Sequence, residues 1–433
     1  MKIGVLFPSL ALICVLTPLA AFAQGADSQP VSQAPQPVAP VVEQQAVARP
    51  AATSVEQIEA RIAEARRMLK TRSPLSSTDE VALAALDTRT SQIQLLTVSK
   101  QDFLERGADV FVPSSSGRLA RVRIDRANGV NTAVTVFDTS SNRQLLPLVV
   151  QYPIVKGGRL TEMAYYTSAH PALLSAPLVD DGKSYVRTML DEAADRLRAQ
   201  GVEISPEIVD IAEHLCVVEH TDHKRFMTED RASLFQEILA LYALNKPDTF
   251  RYSVSTAGAG GMIQMIPQTY QAIRANHPNV ALEADFVSGM RNHANALTAM
   301  LLYMQDTWDT LARSPEVRDA LSSGTATQAE LVAAGYNSNP LRLPLYLRRA
   351  GSEWRSAIPA ETQMYLAIYG SLDSTVKLAG AGASHQARTV RRSNSSTAAS
   401  SALQGFSIAN IAKILPDFAE SLVVGPLLLG GMR

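Results

Sequence analysis

The sequence predicts a multidomain α+β protein, in which a small β-rich module precedes a mainly α domain that carries the candidate chemistry. Three observations lead there. Helical apolar periodicity recurs along 183–370, an alternating Val-, Ile- and Thr-containing stretch with turn signals falls within 96–180, and Pro-, Ala- and Ser-rich stretches lie outside both. With 433 residues, 46% of them hydrophobic, the chain can bury more than one core. A formal net charge of -1 gives no electrostatic case for binding nucleic acid.

In chain order, Lys2 precedes an apolar run over 3–16, and Ala21-Phe22-Ala23 offers small residues for cleavage. Residues 1–23 therefore read as a secretory signal peptide, with Gln24 as the first mature residue. The run is short for a membrane span and lacks a stop-transfer flank. Cys14 has no small residues just before it, which argues against a lipoprotein. After cleavage only Cys216 remains, so no internal disulfide is possible, and a buried thiol is expected. Residues 24–53, rich in Pro, Gln, Ala and Val, cannot build a core and read as an extended tether.

The segment 54–95 is expected to be helical. Val55, Ile58, Ile62, Ala65 and Leu69 share one face of a helix over 54–72, which would dock on the body. The period then switches between 103 and 155. Val122 and Ile124, residues 132–137 and residues 145–152 carry strand signals, separated by Asn128-Gly129 and Ser140-Ser141-Asn142. These define the β-rich module, a positioning device, a partner-binding element or a stabilising appendage.

A helix over 184–200, stopped by Gly201, opens the α domain. Ser205-Pro206-Glu207 starts the next one: Ser accepts an orphan amide, Pro tolerates the first helical position and Glu favours the positive end of the dipole. Ile208, Ile211, Ala212 and Leu215 form its apolar stripe. At about 100° per residue Glu219 returns to within roughly 20° of Ile208, while Glu213 falls on the wet side. A carboxyl group turned toward apolar surroundings loses hydration, which raises its pKa and suits a general acid near neutral pH. The plainer alternative has Glu219 reaching to water past the last turn.

Downstream, Ser255-Thr256-Ala257-Gly258-Ala259-Gly260-Gly261-Met262-Ile263-Gln264 is a Gly-rich turn. Its glycines allow positive φ and close approach of another chain. The spacing matches neither dinucleotide nor P-loop phosphate cradles. Pro267 opens a helix through Tyr270 and Ile273 that ends near His277-Pro278. Asp230 is a plausible N-cap for a helix through Leu234, Phe235, Ile238, Leu241 and Tyr242, and further helices are expected over 294–308, 328–334 and 361–369.

Together these residues resemble the soluble lytic transglycosylases, lysozyme-like enzymes that cut peptidoglycan, whose signature is a Glu closing a helix followed by S-x-x-G-A-x-G-L-M-Q-x-M-P-x-T. Glu219 matches first, then Ser255, Gly258, Ala259, Gly261, Gln264, Met265, Pro267 and Thr269, with Met262-Ile263 where the family has Leu-Met. Gly335-Tyr336-Asn337-Ser338-Asn339 matches A-Y-N-x-G, and Pro359, Glu361, Thr362 and Tyr365 match P-x-E-T-x-x-Y. The resemblance covers roughly 183–370, less than half the chain. His220 stands where the family usually has Ser, Gly335 and Asn339 replace Ala and Gly, and the gap from Glu219 to the Gly-rich turn is longer than usual, which reads as an inserted helix.

The resemblance implies a lysozyme-like α bundle with its cleft between two lobes. It implies that Glu219 protonates the bond between N-acetylmuramic acid and N-acetylglucosamine and that an anhydro-muramic product forms. Catalysis by one Glu needs no cofactor and no partner carboxylate. Ser255, Gly261, Met262, Gln264, Tyr336, Asn337 and Glu361 are the implied substrate contacts, with Met262 and Met265 on the cleft floor. Core packing for the two methionines and capping by Glu361 and Thr362 are the bland alternatives. The implied partner is the peptidoglycan glycan strand, and the implied compartment is the periplasm, with association to the membrane left open.

His214, Glu219, His220, Asp222 and His223 do not have the spacing of a zinc site, and no later His or Cys cluster completes a set. His220 and His223 read instead as helix-end residues favoured by the dipole. Residues 371–405 form a Ser/Ala/Arg linker containing Arg388, Arg391 and Arg392. The tail over 406–433 is apolar but interrupted by Lys413, Pro416, Asp417, Glu420 and Pro426, so it reads as a docking helix or interfacial anchor rather than a span. The β-rich module or this tail would take any envelope protein partner.

Overall fold

The computed structural model describes residues 55–378. The expected signal peptide, the tether and the C-terminal tail lie outside the described residues, as does most of the linker at 371–405. What is described is mixed, 53% helix and 19% strand, with a curled antiparallel sheet at its N-terminal side.

Helix α1 (Val55–Thr71) buries Ile58, Ile62, Ala65 and Leu69, the expected face. That face joins a cluster with Ala82, Ala84 and Leu148 of the sheet. The helical character expected over 54–95 stops there, because β1 (Glu80–Asp87) and β2 (Gln92–Ser99) follow. Every residue of β1 from Val81 on is buried. A strand buried on both faces shows no alternation, and its alanines mimic helix formers.

After the short α2 (Lys100–Phe103) come β3 (Asp109–Pro113), β4 (Leu119–Arg126), β5 (Ala133–Asp138), β6 (Arg143–Lys156) and β7 (Arg159–Tyr166). The strand order is β2-β1-β6-β5-β4-β3, with β7 also on β6. At 14 residues, β6 is long enough to pair with β5 near its start and with β1 and β7 farther along. The sheet curls until its ends meet: Leu96 bridges Ser114, and the Ser115 amide donates to the Leu95 carbonyl at 2.9 Å. Curling covers part of edges that would otherwise invite strand addition.

The helical body comprises α3 (Ala176–Ala199), α4 (Pro206–Val218), α5 (His223–Thr228), α6 (Arg231–Leu244), α7 (Pro267–Asn276), α8 (Phe286–Arg291), α9 (His293–Leu311), α10 (Pro315–Ser322), α11 (Gln328–Asn337), α12 (Leu343–Ala350), α13 (Trp354–Ala357) and α14 (Ala360–Thr375). Ser205 and Asp230 cap α4 and α6 as expected. Helix α3 starts earlier than expected, behind the Ser175 cap. Helix α9 is buried almost all round and forms the axis against which α3, α4 and α11 pack. Helix α14 runs on to Thr375, and Val376 and Leu378 are buried, so the first residues of the expected linker belong to the body.

Sheet and helices share one apolar core, which includes Val122 and Val150 alongside Leu190 and Met300. Where they meet, buried Asn245 accepts from the Thr167 amide at 2.7 Å and donates to the Thr167 carbonyl at 2.8 Å. Among the described residues no helix is long and apolar enough to cross a membrane.

Candidate active site

Glu219 stands just past the last turn of α4, its amide donating to the Leu215 carbonyl at 3.0 Å. The carboxyl does not stretch away into water. Tyr365 of α14, itself 3% exposed, donates its hydroxyl to Glu219 Oε1 at 2.6 Å. Glu219 keeps part of its surface open. Burial nevertheless pushes its pKa up to about 8; the Tyr365 hydrogen bond opposes this, and the negative charge of Glu361 adds to it. The group is therefore mostly protonated at neutral pH, the state a general acid needs.

The sequence placed Tyr365 in the P-x-E-T-x-x-Y match but gave it no role at the site. Its signal was present: it lies one helical turn after Glu361, so both face the same way from α14. The sequence also suggested no partner carboxylate for Glu219, yet Glu361 is near enough to raise its pKa.

Glu213 is not on a wet side. It is 1% exposed and receives Arg187 Nη1 of α3 at 3.3 Å, and the same guanidinium reaches Asp210 at 2.6 Å. Counting angles on α4 finds one apolar stripe but not the second face that α3 covers.

His220 and His223 also depart from the helix-end reading. His220 is buried, and its ring stacks on Phe250 with centroids 3.4 Å apart and planes at 4°. Its Nε2 lies 3.0 Å from the Met262 carbonyl, which can only accept, so Nε2 carries the hydrogen. Burial lowers its pKa to about 3 and keeps the ring neutral. Phe250 adopts a left-handed backbone, φ +57. That conformation costs about 1–2 kcal/mol. His223 opens α5 behind the Asp222 cap, at the positive end of a dipole rather than the negative one.

The Gly-rich turn is tied to these groups through three successive carbonyls. Gly261 O accepts from Gln264 Nε2 at 2.7 Å, Met262 O from His220, and Ile263 O from the Tyr336 hydroxyl at 2.7 Å. Ser255 Oγ accepts from the Ala259 amide at 3.0 Å and closes the preceding bend. Gly261 has φ +69, and a Cβ there would collide with the Met290 backbone carbonyl. The close approach it permits is thus to the protein's own α8, not to a second chain. Met262 and Met265 are buried in the core.

Asn337 ends α11 and accepts from the Thr362 hydroxyl at 2.9 Å, which joins the third and fourth motifs and takes Thr362 away from capping. Gln264, Tyr336, Asn337 and Glu361 all remain partly exposed, as Glu219 does. No protein-family model, curated protein or solved structure matches this chain. What the site does is then set by its own chemistry: a protonated carboxyl, a hydroxyl to steady its anion, and polar groups around it. Among the described residues no cluster of three or more His, Cys, Asp or Glu could hold a metal ion.

Proposed function

We propose that this protein is a periplasmic peptidoglycan lytic transglycosylase with a lysozyme-like α domain. The observation that carries the reading is the Glu219–Tyr365 pair, a carboxyl held protonated near neutral pH at the junction of the four matched motifs. Glu219 gives its proton to the oxygen between N-acetylmuramic acid and N-acetylglucosamine as that bond breaks, and the Tyr365 hydroxyl steadies the resulting carboxylate. The carboxylate then takes the proton from the muramic acid primary hydroxyl, whose oxygen closes onto the anomeric carbon. No water is consumed and the acid is regenerated. Ser255 and Gly261 shape the turn, Met262 packs beneath it, and Gln264, Tyr336 and Asn337 line the sugar.

Mass spectrometry of fragments released from purified peptidoglycan tests this. Anhydro-muramic ends are expected from the mature protein and none from Glu219→Gln; glycan binding with no fragments from either would point to a binding scaffold. One observation favours a second reading, a lysozyme-type hydrolase: the charge of Glu361 acts on Glu219, and paired carboxylates are the usual glycosidase device. Glu361→Gln separates the two. A transglycosylase keeps its kcat within about tenfold and loses activity at lower pH than wild type, whereas a hydrolase that uses Glu361 loses about 1,000-fold.

A further inference from the structure

We infer that Glu162 of β7 is a positioning residue for the Gly-rich turn, so that the sheet holds one wall of the candidate site. The inference rests on the reading of Glu219 as the acid, but its residues lie outside the matched motifs. Glu162 Oε1 accepts from the Tyr252 hydroxyl at 2.8 Å, and Oε2 accepts from Arg291 Nη1 at 2.9 Å. Arg251 Nε approaches Oε1 at 3.4 Å, and the Arg291 guanidinium lies over the Tyr252 ring, 5.3 Å from its centre.

The two partners adjoin the two backbone neighbours of Gly261. Tyr252 precedes Ser253, whose carbonyl accepts from the Gly261 amide at 3.1 Å. Arg291 follows Met290, whose backbone carbonyl fills the space a Gly261 side chain would need. One carboxylate thus fixes both contacts of Gly261, and Gly261 begins the three carbonyls clamped by Gln264, His220 and Tyr336. Arg251 and Arg291 give the carboxylate its charge partners, and all three side chains are under one-third exposed. A charge-assisted, partly buried pair of this kind holds geometry better than a surface ion pair. Loss of the carboxylate frees the turn, not the helical core, because the core packs without it.

The test compares wild type with Glu162→Gln and with the milder Tyr252→Phe, by amide hydrogen exchange and by turnover of purified peptidoglycan. Exchange over 253–265 is expected to quicken about tenfold in Glu162→Gln and less in Tyr252→Phe, with α9 protection and Tm held. KM is expected to rise about tenfold while kcat holds, since the loosened turn binds ground and transition states alike. Faster exchange in both variants with an inactive wild type keeps the positioning role and removes the transglycosylase reading. Unchanged exchange over 253–265 overturns the positioning role, whether or not the wild type turns over. A fall in α9 protection and Tm alongside the turn overturns it too, since Glu162 would then support the body at large.

Discussion

Glu219 is set on the protonated side of neutrality by its surroundings, and stability inherits that setting. Its pKa rises from 4.5 to about 8 on folding, so its contribution is complete below about 4.5 and is lost as pH climbs through 8. Discounted for partial exposure, the loss is on the order of 1–3 kcal/mol. Glu219→Gln has no proton to lose. Its Tm is expected to match wild type at acidic pH and to exceed it by at least about 2 °C at pH 9. A Tm difference that stays constant across this range would mean that the carboxyl ionises as freely folded as unfolded. On the proposed transglycosylase reading, activity follows the same group and is expected to fall as pH rises through about 8, as a pH–rate profile on purified peptidoglycan would show.

Among elements, the α3–α6 contact depends on a missing side chain. A Cβ at Gly182 would run into the backbone carbonyl of Leu239. Replacing an ordinary helical glycine by alanine gains about 1 kcal/mol from propensity. Here the collision decides the sign, and Gly182→Ala is expected to lower stability by about 1–3 kcal/mol in urea unfolding. Stabilisation instead would mean that the helices slide apart at no cost. Elements with one wet face, such as α1 and β4, kept a readable period. Elements covered on more than one side lose it: β1 falls inside a segment expected to be helical, whereas α9, buried almost all round, still matches the helix expected over 294–308.

At the scale of the whole molecule, the sheet and the helices are one packed body rather than beads on a chain. Asn245 answers both backbone groups of Thr167 with no room for water, at 0% exposure. Asn245→Ala leaves a buried N–H and C=O unpaired, each worth about 1–3 kcal/mol. Calorimetry of this variant should show a Tm several degrees lower and still a single transition. Two separated transitions would show that the sheet unfolds on its own.

The sequence by itself determined the starts of α4, α6 and α7, the Gly-rich turn, the motif order and the place of Glu219 at a helix end. Caps, periods and turn residues act within a few positions, so their physics is written locally. Only the tertiary structure decided that Tyr365, 146 residues from Glu219, supplies its hydrogen bond, that Glu361 adds its charge, and that α3 buries Glu213. It also decided that a carboxylate from β7 accepts from Tyr252 and Arg291 beside the turn, and that His220 is buried against Phe250 rather than placed at a helix end by the dipole. These facts arise where distant elements pack, and the desolvation and close contacts made there leave no period or spacing in the chain.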